Sequence, residues 1–431
     1  VLHIAPSGFL RARCDPEGLK GELTMSEAQT GWLRNDAQPA FIDTLSPAYD
    51  ADIHSAHRAA RAQSWYAQTP VGLAFLNHED VLWLLRDRRW RQLGVDALAS
   101  AGVSEGPLWE WFNVIMSNKE GEDHDRLRRL VSRAFTPRRV ESLRPLMREV
   151  AHDLIDRFVE RGACEFVAEF SAPYPVRVVS GLLGVPPEDF ERFHAWSRDL
   201  SLAFGSRIAD ERDRIEAALV CLNEYVDGLL ELRATDPGDD LMSALLAVEE
   251  AGDRLSREEL RALVTVLIFG AQDTTQCQLA CGVHTFIHHP EQWERLRVDS
   301  KLAISAAEEV LRFEPAGSGS PRVATEDIEY KGLEIKAGTI ALPSGPSANR
   351  DPAVYPDPDR FDMTRTHAEP MLTFGGGAHY CLGASLARFE IQEALVILSE
   401  RLPQLEADGE PCWRVGSLIR GPESLPIRFG R

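Results

Sequence analysis

Ser256 and Glu259 stand at capping-box spacing, and the run behind them is apolar on nearly every side of a helix. Leu260, Leu263, Val264, Leu267, Ile268 and Ala271 recur at the i, i+3, i+4, i+7 spacing of one helical face, while Val266 and Phe269 fill the other. A helix without a polar face has to be buried all round. Carried to about His288, it is on the order of 45 Å long at 1.5 Å rise per residue, enough to cross a whole domain. This one element favours a single large fold over the three ordinary domains that 431 residues would allow.

The rest of the chain reads as mainly α with a small, late β component. Helical periodicity predicts elements over 79–88, from about 122 through 135, and over 140–161, 187–204, 207–233, 241–251, 302–313 and 382–401. Asp236-Pro237-Gly238-Asp239-Asp240 marks a turn between two of them. Strand-like pieces follow at 322–325, 328–330 and 335–342, then a Pro/Asp/Gly-rich coil over 343–377. A coil this long inside a compact domain is unusual unless it is functional. Residues 1–24 read as an extension ahead of Met25, and residues 25–431 as one domain.

Charge and cysteine usage narrow the function. With 47 Lys plus Arg against 67 Asp plus Glu, the net charge is −20, which repels phosphate and speaks against a nucleic-acid partner. No run approaches the roughly 20 apolar residues of a membrane span, and the N-terminus lacks a signal-peptide pattern. Seven dispersed Cys do not make a disulfide framework, so a reducing, cytoplasmic setting is expected.

The densest chemistry is Phe374-Gly375-Gly376-Gly377-Ala378-His379-Tyr380-Cys381-Leu382-Gly383-Ala384, where the coil meets a helix. Glycines let backbone approach a flat ligand. A Cys at a helix start has its thiolate stabilised by the dipole and free N–H groups, which suits a nucleophile or a metal ligand. A cysteine-protease reading with His379 fails, because residues two apart do not readily place base against nucleophile and no third orienting group follows.

This segment resembles the haem-binding loop of the cytochrome P-450 haem-thiolate monooxygenases, Phe-x-x-Gly-x-(Arg/His)-x-Cys-x-Gly. The resemblance runs from about Ile53 to the end, is closest to the soluble bacterial branch, and implies the P-450 fold with the long helix crossing the haem. It makes Cys381 the axial thiolate on the iron of haem b (iron protoporphyrin IX), with Phe374 and Gly375 in the loop and His379 facing a propionate. Thiolate ligation favours O–O cleavage. Glu309 and Arg312 match the family's Glu-x-x-Arg, with Arg360 expected to complete a triad that braces the coil. Arg322, and the pair His124 and Arg128 at i, i+4, are expected to meet propionates.

Gly270-Ala271-Gln272-Asp273-Thr274-Thr275 matches the family's oxygen-binding groove, in which Asp273 and Thr274 would deliver protons. Ala271 stands where the pattern usually has Gly. Cys277, Cys281 and His284 read as small or buried residues of the continuing helix rather than a metal site. By family position the substrate pocket draws on 93–117, 190–207, 263–274, 314–321 and 416–419, and Trp109, Trp111, Phe112, Ile115 and Met116 make its first wall suited to a bulky lipophilic molecule.

No reductase module is fused by this reading, so electrons would come from a separate ferredoxin. Six Arg and no acid between Arg126 and Arg139 suggest a docking patch for it around Arg126, Arg129 and Arg133. Two alternatives stand beside this reading. One is peroxide-driven oxidation, which the Asp273-Thr274 pair argues against, and the other is a non-catalytic haem-binding protein.

Overall fold

The capping box forms as the spacing predicts. The Ser256 hydroxyl accepts the Glu259 N–H at 3.1 Å, and the Glu259 carboxylate accepts the Ser256 N–H at 2.7 Å. From it runs the helix Arg257–Ile287, 31 residues long. In this computed structural model, residues 39–430 are described apart from 206–207, 251, 367–368 and 416; the expected extension over 1–24 lies outside the described residues. Around the central helix pack Pro173–Leu183, Phe190–Ser201, Arg212–Thr235 and Ala303–Phe313. Its side chains are buried along most of its length, and the largest hydrophobic cluster forms on them.

Several boundaries depart from expectation for local reasons. The helix expected over 140–161 is two, Pro137–Glu141 and Arg144–Asp156, because Pro145 has no N–H to continue the first and suits the opening turn of the second. Pro173–Leu183 carries two prolines in its first turn, which masked a helix that is otherwise apolar. The helix expected from 207 begins at Arg212, and residue 207 lies outside the described residues.

The β component is not only late. A six-stranded sheet runs in the order Ala40–Phe41, Tyr66–Thr69, Gly72–Phe75, Ile340–Pro343, Arg322–Ala324, Trp90–Gln92, so strands from early in the chain enclose two late ones. The early strands are two to four residues long, too short for alternation to reveal them.

The long coil leaves this sheet after Pro343 and is fastened by buried charge. Arg312 and Glu309 are both 0% exposed and pair through two bonds of 2.8 Å. The expected third member, Arg360, instead has an exposed side chain beside Asp362 and contributes its carbonyl to Arg312. Arg365 takes the place, with its Nε 3.2 Å from Glu309 and its Nη2 donating to the Asp357 and Arg360 carbonyls. Arg312 also donates to the carbonyls of Asn349 and Pro358, and the Asn349 side chain bonds Leu372 and Thr373, immediately before Phe374.

Replacing Arg312 by Ala takes from the buried Glu309 its bidentate partner and removes the donors to three coil carbonyls, those of Asn349, Pro358 and Arg360. We expect a loss of about 3–5 kcal/mol, read as a lowered urea midpoint, with Arg312→Lys in between because an amine lacks the guanidinium fork. An unchanged midpoint for Arg312→Ala would show that the coil is held elsewhere.

Candidate active site

The coil ends in the loop that presents Cys381. Gly377 has φ +67°, and a Cβ there would fall 2.3 Å from the Leu85 carbonyl, so only glycine lets the loop press under the helix His78–Arg86. A short turn, Gly377–His379, follows, and the Cys381 N–H donates to the Phe374 carbonyl at 3.0 Å. The helix Ala384–Arg401 starts three residues on. Desolvation pushes the Cys381 thiol up, while the Gly383 N–H and the charges of Arg128 and Arg388 oppose it. Cys381 is nonetheless exposed, as are Gly377 and Ala378.

Beside it lies a cluster of arginine and histidine side chains. The His124 and His379 rings stand 4.3 Å apart, and His379 Nε2 lies 2.9 Å from Glu120 Oε2. The other Glu120 oxygen accepts the Gln92 N–H at 2.7 Å. Arg322 is buried, donates to the Gln92 side chain and to the Ser320 carbonyl, and is pushed down to about 10 by that burial, with the Glu120 charge opposing. Arg128 is half-buried, and its guanidinium makes no hydrogen bond among the described residues; burial lowers its pKa and the charge of Cys381 opposes. The four residues singled out from the sequence are thus brought together. Gln92 and Glu120, which organise them, carried no signal in the sequence.

The central helix opens at its middle. Gly270 is exposed, and a Cβ on it would meet no atom within 4 Å. Thr274 donates from Oγ1 to the Gly270 carbonyl at 2.7 Å, and Ala271 is half-buried beside them. Asp273 is buried and faces away to Arg414, a partner that sequence spacing did not reveal. Cys277 and Cys281 are buried in the continuing helix, with the Cys277 thiol pushed up to about 12 by desolvation.

Aromatic rings stack above this opening. Phe204 lies 3.9 Å from Phe269 and 5.4 Å from Phe112, and Trp111 meets both Phe112 and Phe204 edge-on. Trp111 is fixed by its Nε1–H, which donates to Thr265 Oγ1 at 2.8 Å. Trp111, Phe112 and Ile115 of the expected wall are buried, and Trp109 and Met116 partly so; Phe204 and Phe269 add to it from two other helices.

The residues fit the haem that the loop motif implies. Gly270 and Gly375 both face open space, where a Cβ would meet no atom within 4 Å, so the protein leaves room there for a flat group to approach the backbone. A half-buried guanidinium without a hydrogen-bond partner and a buried Arg322 whose own bonds go to neutral oxygens suit the two carboxylates of such a group. Cys381 would supply such a group with a sulfur ligand.

Comparison with known proteins agrees. A family model described as Cytochrome P450 matches residues 182–402. Nocardicin C N-oxygenase of Nocardia uniformis subsp. tsuyamanensis is 40% identical over 88% of this chain and 96% of its own. Vitamin D(3) 25-hydroxylase of Pseudonocardia autotrophica is 41% identical over 90% and 96%. The solved structure of cytochrome P450 CYP109Q5 from Chondromyces apiculatus superposes with a TM-score of 0.82 at 31% identity, covering 90% of this chain and 98% of that one.

Proposed function

The chain belongs to the cytochrome P450 family of oxidoreductases, and from that premise we propose that it is a haem b monooxygenase that inserts one atom of dioxygen into a bulky lipophilic molecule, drawing electrons from a separate ferredoxin. The observation that carries this reading is the opening at Gly270 and Thr274 in an otherwise buried helix, with a hydroxyl on its rim. Haem iron with a thiolate ligand, when bound, supplies the binding and activation of dioxygen.

The chain's own residues do the rest. Cys381 provides the thiolate, and Arg128, His124, Arg322 and His379 neutralise and orient the two propionates. Thr274 holds a proton at Oγ1 on the rim of the opening, and Asp273, one residue earlier, replenishes it as a general acid. The rings of Trp111, Phe112, Phe204 and Phe269 exclude water and favour an apolar substrate. The relatives' names point to secondary metabolites and a secosteroid as substrates of those proteins, which supports the same size class here.

For the electron donor, the patch read from the sequence needs one correction. Arg126 is engaged by Asp253 at 2.7 Å and by Glu259 at 2.6 Å, so its charge is neutralised within the fold. Arg129 and Arg133 are exposed on the helix Gly121–Ala134, whose Arg128 lies beside Cys381. An acidic ferredoxin docking on Arg129 and Arg133 would approach the metal from the thiolate side.

Three measurements test this reading. The reduced protein under carbon monoxide is expected to show the red-shifted Soret band of thiolate-ligated haem, and Cys381→His to lose it; the same band in that variant would reassign the ligand. Thr274→Ala is expected to keep haem yet lower product formed per reductant consumed at least about tenfold, with hydrogen peroxide made instead. Unchanged coupling in Thr274→Ala and Asp273→Asn would take both out of the mechanism. Arg129→Glu combined with Arg133→Glu is expected to slow reduction by ferredoxin at low salt, less so as the Debye length falls to about 8 Å at physiological ionic strength, and to leave dithionite reduction alone. Equal ferredoxin rates at low salt would move the docking site.

A further inference from the structure

Asp273 and Thr274 are neighbours in sequence, but the fold hands them to different partners. Successive residues on a helix point about 100° apart. Thr274 faces the opening, bonded to the Gly270 carbonyl. Asp273 faces the C-terminal hairpin, and Arg414 grips both of its oxygens, Nη1 to Oδ2 at 2.8 Å and Nη2 to Oδ1 at 2.7 Å. While the fork holds both oxygens, the carboxylate is turned to the hairpin and away from Thr274, so proton delivery through Asp273 requires this pair to open.

The hairpin that carries Arg414 adjoins the segments that the family resemblance assigns to the substrate pocket. Its strands are Cys412–Trp413 and Pro422–Ser424, and the Arg414 N–H donates to the Gly421 carbonyl at 3.0 Å. Gly421 lies so close to the central helix that a Cβ on it would fall 2.6 Å from that of Cys277. Between the strands, the loop touches two of those segments one after another. Ser417 pairs with Gly205, Ile419 with Gly317, the Leu418 carbonyl accepts the Ser318 N–H, and Arg420 pairs with Glu314. Glu423, on the returning strand, also faces Arg414 and offers a second anion for its guanidinium.

We propose that Arg414 is a positioning residue that holds Asp273 turned away from Thr274 and releases it when a substrate displaces the hairpin. The inference rests on the reading that Asp273 and Thr274 deliver protons. Its consequence is a safeguard. Without substrate, delivery of two protons to dioxygen that has taken two electrons from the donor protein yields only hydrogen peroxide, and the ion pair suppresses that loss.

The rate comparison needs no substrate, and only the coupling readout, product formed per reductant consumed, uses one. Haem-loaded wild type, Arg414→Gln, Arg414→Lys, Asp273→Asn and the double variant Arg414→Gln/Asp273→Asn are supplied with a plant-type ferredoxin, its reductase and NADPH, and substrate-free NADPH consumption and peroxide release are followed. Arg414→Gln is expected to raise both at least about fivefold, the low end of coupling between two sites. The double variant should fall back to the Asp273→Asn level, and Arg414→Lys, which keeps a charge but loses the fork, should lie between wild type and Arg414→Gln. Should Arg414→Gln fail to fold, the Lys variant carries the comparison. Independently of turnover, hydrogen exchange of the hairpin peptide spanning 412–421 should quicken in both Arg414→Gln and Asp273→Asn. A substrate-free rate in Arg414→Gln and Arg414→Lys no higher than wild type, while Asp273→Asn still lowers coupling, overturns the latch and leaves the relay standing. Full coupling in Asp273→Asn and Thr274→Ala overturns the relay and the latch together.

Discussion

A fully buried ion pair carries the coil on which the site is mounted. Glu309 and Arg312 sit at i, i+3 on the helix Ala303–Phe313, both without exposure, and between them they hold the backbone at Asn349, Pro358, Arg360 and Asp362. Taking two charges out of water is costly, and a buried pair is weak grounds for added stability. Its value here is directional. A coil with little regular hydrogen bonding of its own needs donors and acceptors at fixed points, and a guanidinium with five N–H groups supplies them from one residue. Through Asn349 the bracing reaches Leu372 and Thr373, so the position of Cys381 is set from a helix that never touches it in sequence.

The second constraint is electrostatic. The chain carries net charge −20, yet Arg128, Arg322, His124 and His379 converge on one side of the Cys381 loop with Glu120 as the carboxylate bonded among them. Burial lowers the pKa of Arg128, Arg322 and His124, the direction expected of basic groups taken out of water without a full complement of anions beside them.

What was legible in the sequence was whatever depends on short-range pattern. The central helix declared itself through periodicity and its capping box, and the Cys381 loop through a motif in which Gly377 meets a close approach to the Leu85 carbonyl. Partners chosen by the fold left no such trace. Arg365 replaces Arg360 in the brace because the coil turns back after Pro358, and nothing local marks which of two arginines ends up inside. Arg414 lies far from Asp273 along the chain, and Gln92 and Glu120 act through backbone and side-chain bonds that have no spacing rule. The early strands were missed for the reason that also makes them short: each is completed by a strand from elsewhere, so none needs a long alternating pattern.

That sheet has a temporal consequence. Leu73 pairs with Ala341, and Phe75 with Pro343, so the inner strands join residues from opposite ends of the chain. During synthesis, Gly72–Phe75 leaves the ribosome long before its partner exists, with one edge waiting and Phe75 destined to be fully buried. Contacts of such separation form late and slowly. The coil departs directly from Pro343, so the loop bearing Cys381 acquires its bracing only after the sheet closes. The Cys381 loop is thereby the last part to be set, and a nascent chain stalled before Ile340–Pro343 emerges would linger with an unpaired strand edge, the state most exposed to aggregation.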